Sequence, residues 1–506
     1  CMMSVFDHGP FAHCPAPFSL AAHVLRHAGA LADKTALSVL GPEGAENWSY
    51  AELEAAVRGT GTGLLQAGLK PGDIVLMRLG NTVDFPIAYL GAIAAGLVPV
   101  PTSAQLTEGE TAHMIAELAP AAVLRDPSVA CAAHPRQFSL QALEAMRSLP
   151  PCAYAMGEPE RLAYVVYTSG TSGKPRAVAH AHRAIWARQM MVDGWYGLTQ
   201  HDHLLHAGAF NWTFTLGTGL MDPWAAGATA LIPEAGTAPE ALPGLLRRHH
   251  ATLFAAAPGV FRKMLQTGGS LNLPALRHGL CAGEKLPQRL QAQWLAATGT
   301  GLYEAYGMSE CSTFISSSPA HPARGGALGR PQEGRRVAIL GDDGPEAQSE
   351  EGTIAVHRSD PGLMLGYLNA PEETAARFQG DWFLTGDRGA MAADGQIHYL
   401  GRGDDMMNAG GYRVSPLEVE AAMMEHPGIT QAGAAAVEVK PDTFIIAVFY
   451  TGPERLDDAA LADFAESRLA RYKQPRACIY LDSLPTGANG KLLRRALPAY
   501  FESDTA

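Results

Sequence analysis

Short apolar runs separated by helix-spaced segments constrain this chain more than any other feature. Ile74-Val75-Leu76-Met77 is a β-branched run, residues 84–96 have helical character, and Val98-Pro99-Val100-Pro101 is a second short run ending in proline. Strand, helix and strand at this spacing imply parallel strands joined by a crossover helix. The alternation recurs at residues 121–124, 228–232, 253–256 and 279–282, and it predicts a mostly parallel sheet. Ahead of it, Leu53, Val57, Leu64, Leu65 and Leu69 fall at helical spacing, and Gly72 supplies a stop. No fixed-period repeat is present.

After about residue 325 the texture changes to short strands with turn clusters, at residues 336–340, 341–345 and 352–357, which predicts a small β subdomain over about 325–400. Gly401-Arg402-Gly403-Asp404-Asp405 is a glycine-flanked polar break of the kind that joins domains. Beyond it, helices over 416–425 and 458–469 and strands over 444–450 and 477–481 make a compact α+β unit. The expected fold is α/β: a large N-terminal domain, residues 1–403, built of βαβ sheets with the β subdomain, and a small α+β C-terminal domain, residues 404–506.

The 506 residues carry a net charge of −12, which argues against neutralising nucleic-acid phosphate or anionic lipid as the main task. At 47% hydrophobic and 17% charged, the chain is neither disordered nor a charge-laced coiled coil. Apolar stretches are broken before they reach bilayer length, and the first residues lack a basic region followed by an apolar one. Seven widely spaced cysteines with no Cys-x-x-Cys pair fit a reducing compartment, so a cytoplasmic location is expected.

Thr168-Ser169-Gly170-Thr171-Ser172-Gly173-Lys174-Pro175-Arg176 follows the apolar run 162–166 and has the hydroxyls, glycines and cations that suit a polyphosphate. It is not a Walker loop: the required first glycine falls on Thr168, and Pro175 stands where the magnesium-binding hydroxyl should be. Gly59-x-Gly61-x-Gly63 lacks the third glycine of a dinucleotide fingerprint at the right offset. Tyr306-Gly307-Met308-Ser309-Glu310 is followed by Cys311 where a nucleophile elbow needs glycine. A hydroxyl beside a carboxylate there could hold a phosphate oxygen and a metal ion, and an ordinary strand-to-helix turn is the plain alternative. Thr385-Gly386-Asp387 offers a carboxylate to two ribose hydroxyls. Lys491 stands on a glycine-rich loop in a chain where 8 of 38 basic residues are lysine, and an exposed loop lysine is its ordinary fate.

In this order and spacing these segments, with Gly283-Glu284-Lys285-Leu286-Pro287 and residues 401–413, resemble the adenylate-forming superfamily of acyl-CoA synthetases, amino-acid adenylation domains and beetle luciferases over nearly the whole chain. The resemblance implies ATP, Mg²⁺ and CoA as reactants and cofactor. It implies that Thr168 to Ser172, with Gly173 and Lys174, wrap the ATP phosphates. Gly283, Glu284, Lys285 and Glu304 would line the adenine, with Tyr306 stacked on it. Ser309 would touch the α-phosphate, Glu310 would bind the metal, and Asp387 and Arg402 would hold the ribose. Asp404 would be a hinge, Lys491 would bridge substrate carboxylate and α-phosphate, and Gly410, Gly411 and Tyr412 would line a CoA tunnel. The family's usual Pro-Lys-Gly is here Pro175-Arg176-Ala177, so the last turn of the loop is expected to sit differently.

Residues 207–221 contain no charged group, which disfavours an α-amino acid, and Phe210, Trp212, Thr213 and Phe214 predict an apolar acyl pocket with Trp212 also at the pantetheine gate. By the resemblance, Gly307 leaves room for more than two carbons, and the pattern is most similar to benzoate-type CoA ligases, then medium-chain synthetases. The expected activity is AMP-forming ligation of an aromatic, alicyclic or short-to-medium apolar acid to CoA. A ligase that loads a carrier protein is the alternative, and a non-enzymatic nucleotide sensor is a third. Expected partners are the acid, ATP and CoA, with a second copy of the chain as a candidate, and neither nucleic acid nor a membrane.

Overall fold

The computed structural model describes residues 2–168, 175–409, 412–440, 443–487 and 490–504, with backbone alone at 409, 412, 413 and 502–504. The predicted crossover unit forms: Val98–Pro101, Ile74–Arg78, Ala122–Arg125 and Gln137–Ser139 lie side by side in a parallel sheet. A nine-stranded sheet carries the remaining βαβ units. Its parallel centre runs Leu302–Met308, His278–Ala282, Leu253–Ala256, His203–His206, Thr229–Pro233 and Thr35–Leu40, with antiparallel strands at both edges. Central strands buried on both faces read as continuous apolar runs, which is why the sequence exposes them.

Helix Tyr50–Gln66 shows how tightly these layers close. Ser49 and Glu52 form a reciprocal capping box at its start. Gly59, Gly61 and Gly63 lie within the helix. A Cβ on them would come within 2.6 Å of the Arg147 carbonyl oxygen, 2.6 Å of Cys152 Sγ and 2.2 Å of Met146 Cγ. The glycine series therefore exists for close packing, and it forms no anion-binding loop.

The β subdomain is an antiparallel sheet of Arg336–Gly341, Glu351–His357, Trp382–Met391 and Ile397–Arg402, as expected, but Val5–Asp7 joins its edge from the far end of the sequence. The small C-terminal unit also departs from expectation. Beside Thr443–Thr451 and Ala477–Tyr480 runs a third strand, Gln431–Lys440, whose alanine-rich sequence gives little strand signal. No helix among the described residues is long and apolar enough to cross a membrane.

One buried ion pair ties three parts of the N-terminal body. Arg188 follows helix Arg183–Ala187 and donates from Nε to Asp222 Oδ1 (2.8 Å) and from Nη2 to Asp222 Oδ2 (2.8 Å). Its Nη1 reaches Ser312 Oγ at 2.6 Å, and the Tyr196 hydroxyl donates to Asp222 Oδ2 at 2.6 Å. Burial opposes the charge on Arg188, but the Asp222 carboxylate more than offsets it and holds the guanidinium protonated. Replacing one member leaves the other charge buried without a partner, so Asp222→Ala is expected to destabilise the protein by about 3–5 kcal/mol. Chemical denaturation monitored by tryptophan fluorescence checks this, and a loss below about 1 kcal/mol would contradict it.

Candidate active site

The site lies along the C-terminal ends of the parallel strands, where open α/β sheets leave a crevice. Register places His206 beside Ala255, Ala256 beside Cys281, and Ala282 beside Ala305, so the strand ends form a row leading to Tyr306.

The phosphate-loop sequence connects two antiparallel strands, Leu162–Tyr167 and Ala177–Ala181. Thr168 N–H donates to the Arg176 carbonyl (3.0 Å) and Arg176 N–H to Thr168 Oγ1 (3.0 Å), which closes the base of the loop. Ser169, Gly170, Thr171, Ser172, Gly173 and Lys174 lie outside the described residues. Ala177 is buried in the strand opposite Tyr167 and has no positive φ, so the glycine's freedom is not needed there. Arg176 places its guanidinium 5.0 Å from the centre of the Tyr367 ring.

Tyr306-Gly307-Met308 ends one strand, and Ser312–Ser316 returns antiparallel, so the segment is a strand-to-strand turn and the strand-to-helix alternative is discarded. A Cβ on Gly307 would lie 1.9 Å from the Ser312 carbonyl oxygen. The hairpin backbone as it stands leaves no room for a Cβ at this position. Glu310 is 5% exposed, and its Oε1 accepts from the Tyr367 hydroxyl at 2.7 Å with Arg377 Nη1 at 3.6 Å. Arg377 also donates to the Tyr367 hydroxyl at 2.6 Å. The Ser309 carbonyl is bonded to His180 Nε2 at 2.7 Å, which fixes the turn from the other side.

Asp387 faces Arg402 across adjacent strands. Its carboxylate accepts from the Tyr306 hydroxyl at Oδ2 and lies 3.5 Å from the Tyr399 hydroxyl. Burial raises its pKa above the ordinary value, opposed by the Tyr306 hydrogen bond and by Arg402. Tyr306 is itself held between Phe314 and Tyr399, each ring centre 5.4 Å away. Lys285 and Glu304 are spent on each other: Nζ to Oε1 is 2.6 Å, and Glu304 Oε2 takes the Leu286 N–H at 3.0 Å. Glu304 is 1% exposed, and the pair braces the backbone that follows the Gly283-Glu284 turn. Gly283 has φ +108 with open space beside it.

Lys491 reaches this region from the C-terminal unit, on a turn closed by Gly487 N–H to the Lys491 carbonyl at 2.8 Å. Its side chain is exposed at the cleft mouth, yet protein crowds the ammonium enough to lower its pKa, opposed by Glu284 and reinforced by Arg402. Burial raises the pKa of Glu284 in turn, with Arg262 and Lys491 opposing. Asp404 is gripped by Arg402 Nε at 3.1 Å and Arg495 Nη2 at 2.7 Å. Arg289 donates to the Ile429 carbonyl at 3.0 Å and is a second tie between the two units.

In the segment predicted to meet the acyl group, Trp212 and Phe214 meet edge to face at 5.1 Å, and Phe214 meets His206 at 4.5 Å. Thr213 is exposed. Phe210 is 2% exposed within the large core, and its N–H donates to Asn81 Oδ1 at 2.8 Å. Gly410 and Gly411 lie outside the described residues, and of Tyr412 only the backbone, paired with Ala409, is described. Sequence reasoning missed His206, Tyr367, Arg377 and Tyr399, because nothing local marks a tyrosine or arginine that reaches a site from a distant strand.

The AMP-binding enzyme family matches residues 24–368, and the AMP-binding enzyme C-terminal domain matches residues 418–491. A benzoate–CoA ligase of Thauera aromatica is 30% identical over 476 residues, covering 89% of this chain and 90% of that protein. A 3-hydroxybenzoate–CoA ligase of Aromatoleum sp. (strain CIB) is 29% identical over 477 residues, covering 89% of this chain and 91% of its own. Among solved structures, a benzoate CoA ligase from Burkholderia xenovorans LB400 is similar with a TM-score of 0.83 at 26% identity, over 95% of this chain and 100% of that one. The fold and the paired units define an adenylate-forming enzyme. The chain belongs to the AMP-binding enzyme family, as an AMP-forming acid–CoA ligase.

Because the Tyr306 hydroxyl fixes Asp387, Tyr306→Phe is expected to raise KM for ATP by about 5- to 20-fold while changing KM for the acid less than about 2-fold. Pyrophosphate-exchange kinetics with each substrate varied separately measures the split, and equal changes in both would contradict it.

Proposed function

We propose that the site joins an apolar, aromatic or alicyclic acid to CoA in two steps within one cleft. In the first, a carboxylate oxygen of the acid bonds to the α-phosphorus of ATP as the bond to pyrophosphate breaks. In the second, the CoA sulfur bonds to the acyl carbon, AMP leaves, and the thiol proton passes to solvent. The observation that carries this reading is Lys491, delivered by the C-terminal unit into the field of Glu284 and Arg402.

Bringing a carboxylate to a triphosphate sets two anions against each other, so cations placed in advance at the cleft lower the barrier. Lys491 would donate to the carboxylate and α-phosphate oxygens. Arg402 and Asp387 would hold the ribose, with Asp387 aimed by Tyr306. Thr168 and the loop beyond it would take the β- and γ-phosphates, and Ser309 the α-phosphate. The Gly283-Glu284 turn, braced by the Lys285–Glu304 pair, would cover the adenine. Glu310 would offer its carboxylate from the turn, and among the described residues no group of three or more metal-ligating side chains is present. That donor set fits Mg²⁺, which is commonly held by one or two carboxylates with substrate phosphates and water. When bound, the ion would neutralise phosphate charge. Tyr367 and Arg377 would fix the orientation of Glu310.

We place the domain boundary at 403/404 and the hinge at Asp404. Arg402 still belongs to the β subdomain, whereas Met407 and Val414 pack into the C-terminal core. Rotation about Asp404 would withdraw Lys491 and bring residues 408–412 to the cleft for CoA. Two features support an aromatic or alicyclic acid: the His206, Trp212 and Phe214 rings, and the commitment of the nearby Asp222 to Arg188, which leaves that carboxylate no capacity for an α-amino group. The benzoate–CoA and 3-hydroxybenzoate–CoA ligases among the relatives point the same way.

Lys491→Ala is expected to slow acyl-AMP formation by on the order of 100-fold or more, while synthetic acyl-AMP plus CoA still yields thioester. Equal loss of both half-reactions would refute the assignment. The depressed pKa of Lys491 adds a pH signature. Its ammonium deprotonates below the pH of an ordinary lysine, so pyrophosphate exchange should fall as pH rises through that lowered value. The alkaline limb should be absent from the residual activity of Lys491→Arg, whose charge persists.

A further inference from the structure

We propose that His180 is a positioning residue for adenylation: it seats a buried water behind the turn that carries Ser309 and Glu310, and ring and water together hold that turn in place. This rests on the ligase reading above, which gives Ser309 to the α-phosphate and Glu310 to the metal. His180 acts through the turn and touches no substrate itself.

His180 lies in strand Ala177–Ala181, opposite Tyr164 of Leu162–Tyr167. Its ring is 3% exposed and stacks on the Tyr164 ring, with centres 5.0 Å apart and 22° between planes, which fixes the plane of the imidazole. Nε2 lies 2.7 Å from the Ser309 carbonyl oxygen. A carbonyl only accepts, so Nε2 carries the proton in this bond. Burial, reinforced by the Arg183 and Arg188 guanidiniums, pushes the pKa of the ring down to about 4, so the imidazole is neutral and Nδ1 is left as an acceptor. Nδ1 is buried and has no hydrogen-bond partner among the described residues. A buried acceptor without a donor costs free energy, so a donor is expected at this atom.

An internal cavity of about 10 Å³ lies against the ring, lined also by Tyr164, Arg188, Cys311, Ser312 and Arg335. That is the lower end of what one water needs, and it excludes a larger guest. The charges around it disfavour a small anion. Arg188 is paired with Asp222 at 2.8 Å and Arg335 with Asp360 at 2.7 Å, and an anion would also face the lone pair of Nδ1. Water is neutral, donates to Nδ1 and can bond the hydroxyls and guanidiniums of the lining with its other sites. The place of the cavity gives the water its role. Cys311 and Ser312 directly follow Glu310, while His180 grips the Ser309 carbonyl. The Met364 N–H takes the Glu310 carbonyl at 2.7 Å from the other side. The water therefore bridges the strand of His180 to the underside of the turn.

The first test uses the unaltered full-length protein. Its high-resolution crystal structure should show one ordered water within about 3.2 Å of His180 Nδ1, and a dry cavity would overturn the proposal without any variant having to fold. The second test separates positioning from general support of the fold. His180→Leu removes both hydrogen bonds, whereas His180→Gln keeps an N–H donor at the height of Nε2. The acid is whichever of benzoate, the hydroxybenzoates and cyclohexanecarboxylate the unaltered enzyme turns over fastest. His180→Leu should lower kcat of acid-dependent pyrophosphate exchange by about 10- to 100-fold, as a small displacement of positioning groups does, with KM for the acid changed less than about 2-fold. His180→Gln should recover roughly 5-fold or more of that loss. A matching rise in KM for the acid, or no recovery in His180→Gln, would overturn the positioning role. Failure of the unaltered enzyme to support exchange with any of these acids would instead bring down the ligase reading, and the water at Nδ1 would still be decided by the crystal structure.

Discussion

The ion pair between Arg188 and Asp222 is the contact on which the arrangement of the site depends. It joins the end of helix Arg183–Ala187, the segment that presents Trp212 and Phe214, and, through Ser312, the turn that carries Ser309 and Glu310. Two charges removed from water are tolerated only with close geometry and further hydrogen bonds, and Tyr196 and Ser312 supply those. The pair is satisfied largely within itself, and the same contact ties the segment that carries Trp212 and Phe214 to the turn that carries Ser309 and Glu310.

Around this rigid centre the protein uses charge sparingly. The chain carries a net charge of −12, although the proposed substrates are themselves anions. Cations gather locally at Arg176, Arg377, Arg402 and Lys491, each facing an acidic group or an aromatic ring that fixes its position. Lys491 and Arg495 come from the C-terminal unit, whereas Glu284 and Arg402 come from the N-terminal body. This group of cations thus draws on both units, as the proposed use of one cleft for two reactions in turn would require.

Much of the fold was legible because buried parallel strands must be continuous apolar runs and their crossovers must be helices. The C-terminal strand Gln431–Lys440 was not legible, since five of its ten residues are alanine or glycine and its place is set by pairing with Thr443–Thr451. Site motifs were legible as composition, but their geometry was not. Thr168 and Arg176 close the base of a β-hairpin, and Gly307 lies against the Ser312 carbonyl, a contact across a turn that spacing cannot show. Lys285 and Glu304 carry the right chemistry for a nucleotide site and use it on each other.

Local periodicity and short-range composition are enough to set the α/β class, the break near Gly401 and the residue types that make adenylate chemistry feasible. Tertiary structure alone decided which groups are free to act. Tyr306 aims Asp387, Tyr367 and Arg377 hold Glu310, and Lys285 and Glu304 are committed to each other. Whether a polar atom is satisfied depends on neighbours tens to hundreds of residues away, and only the packed chain brings them together.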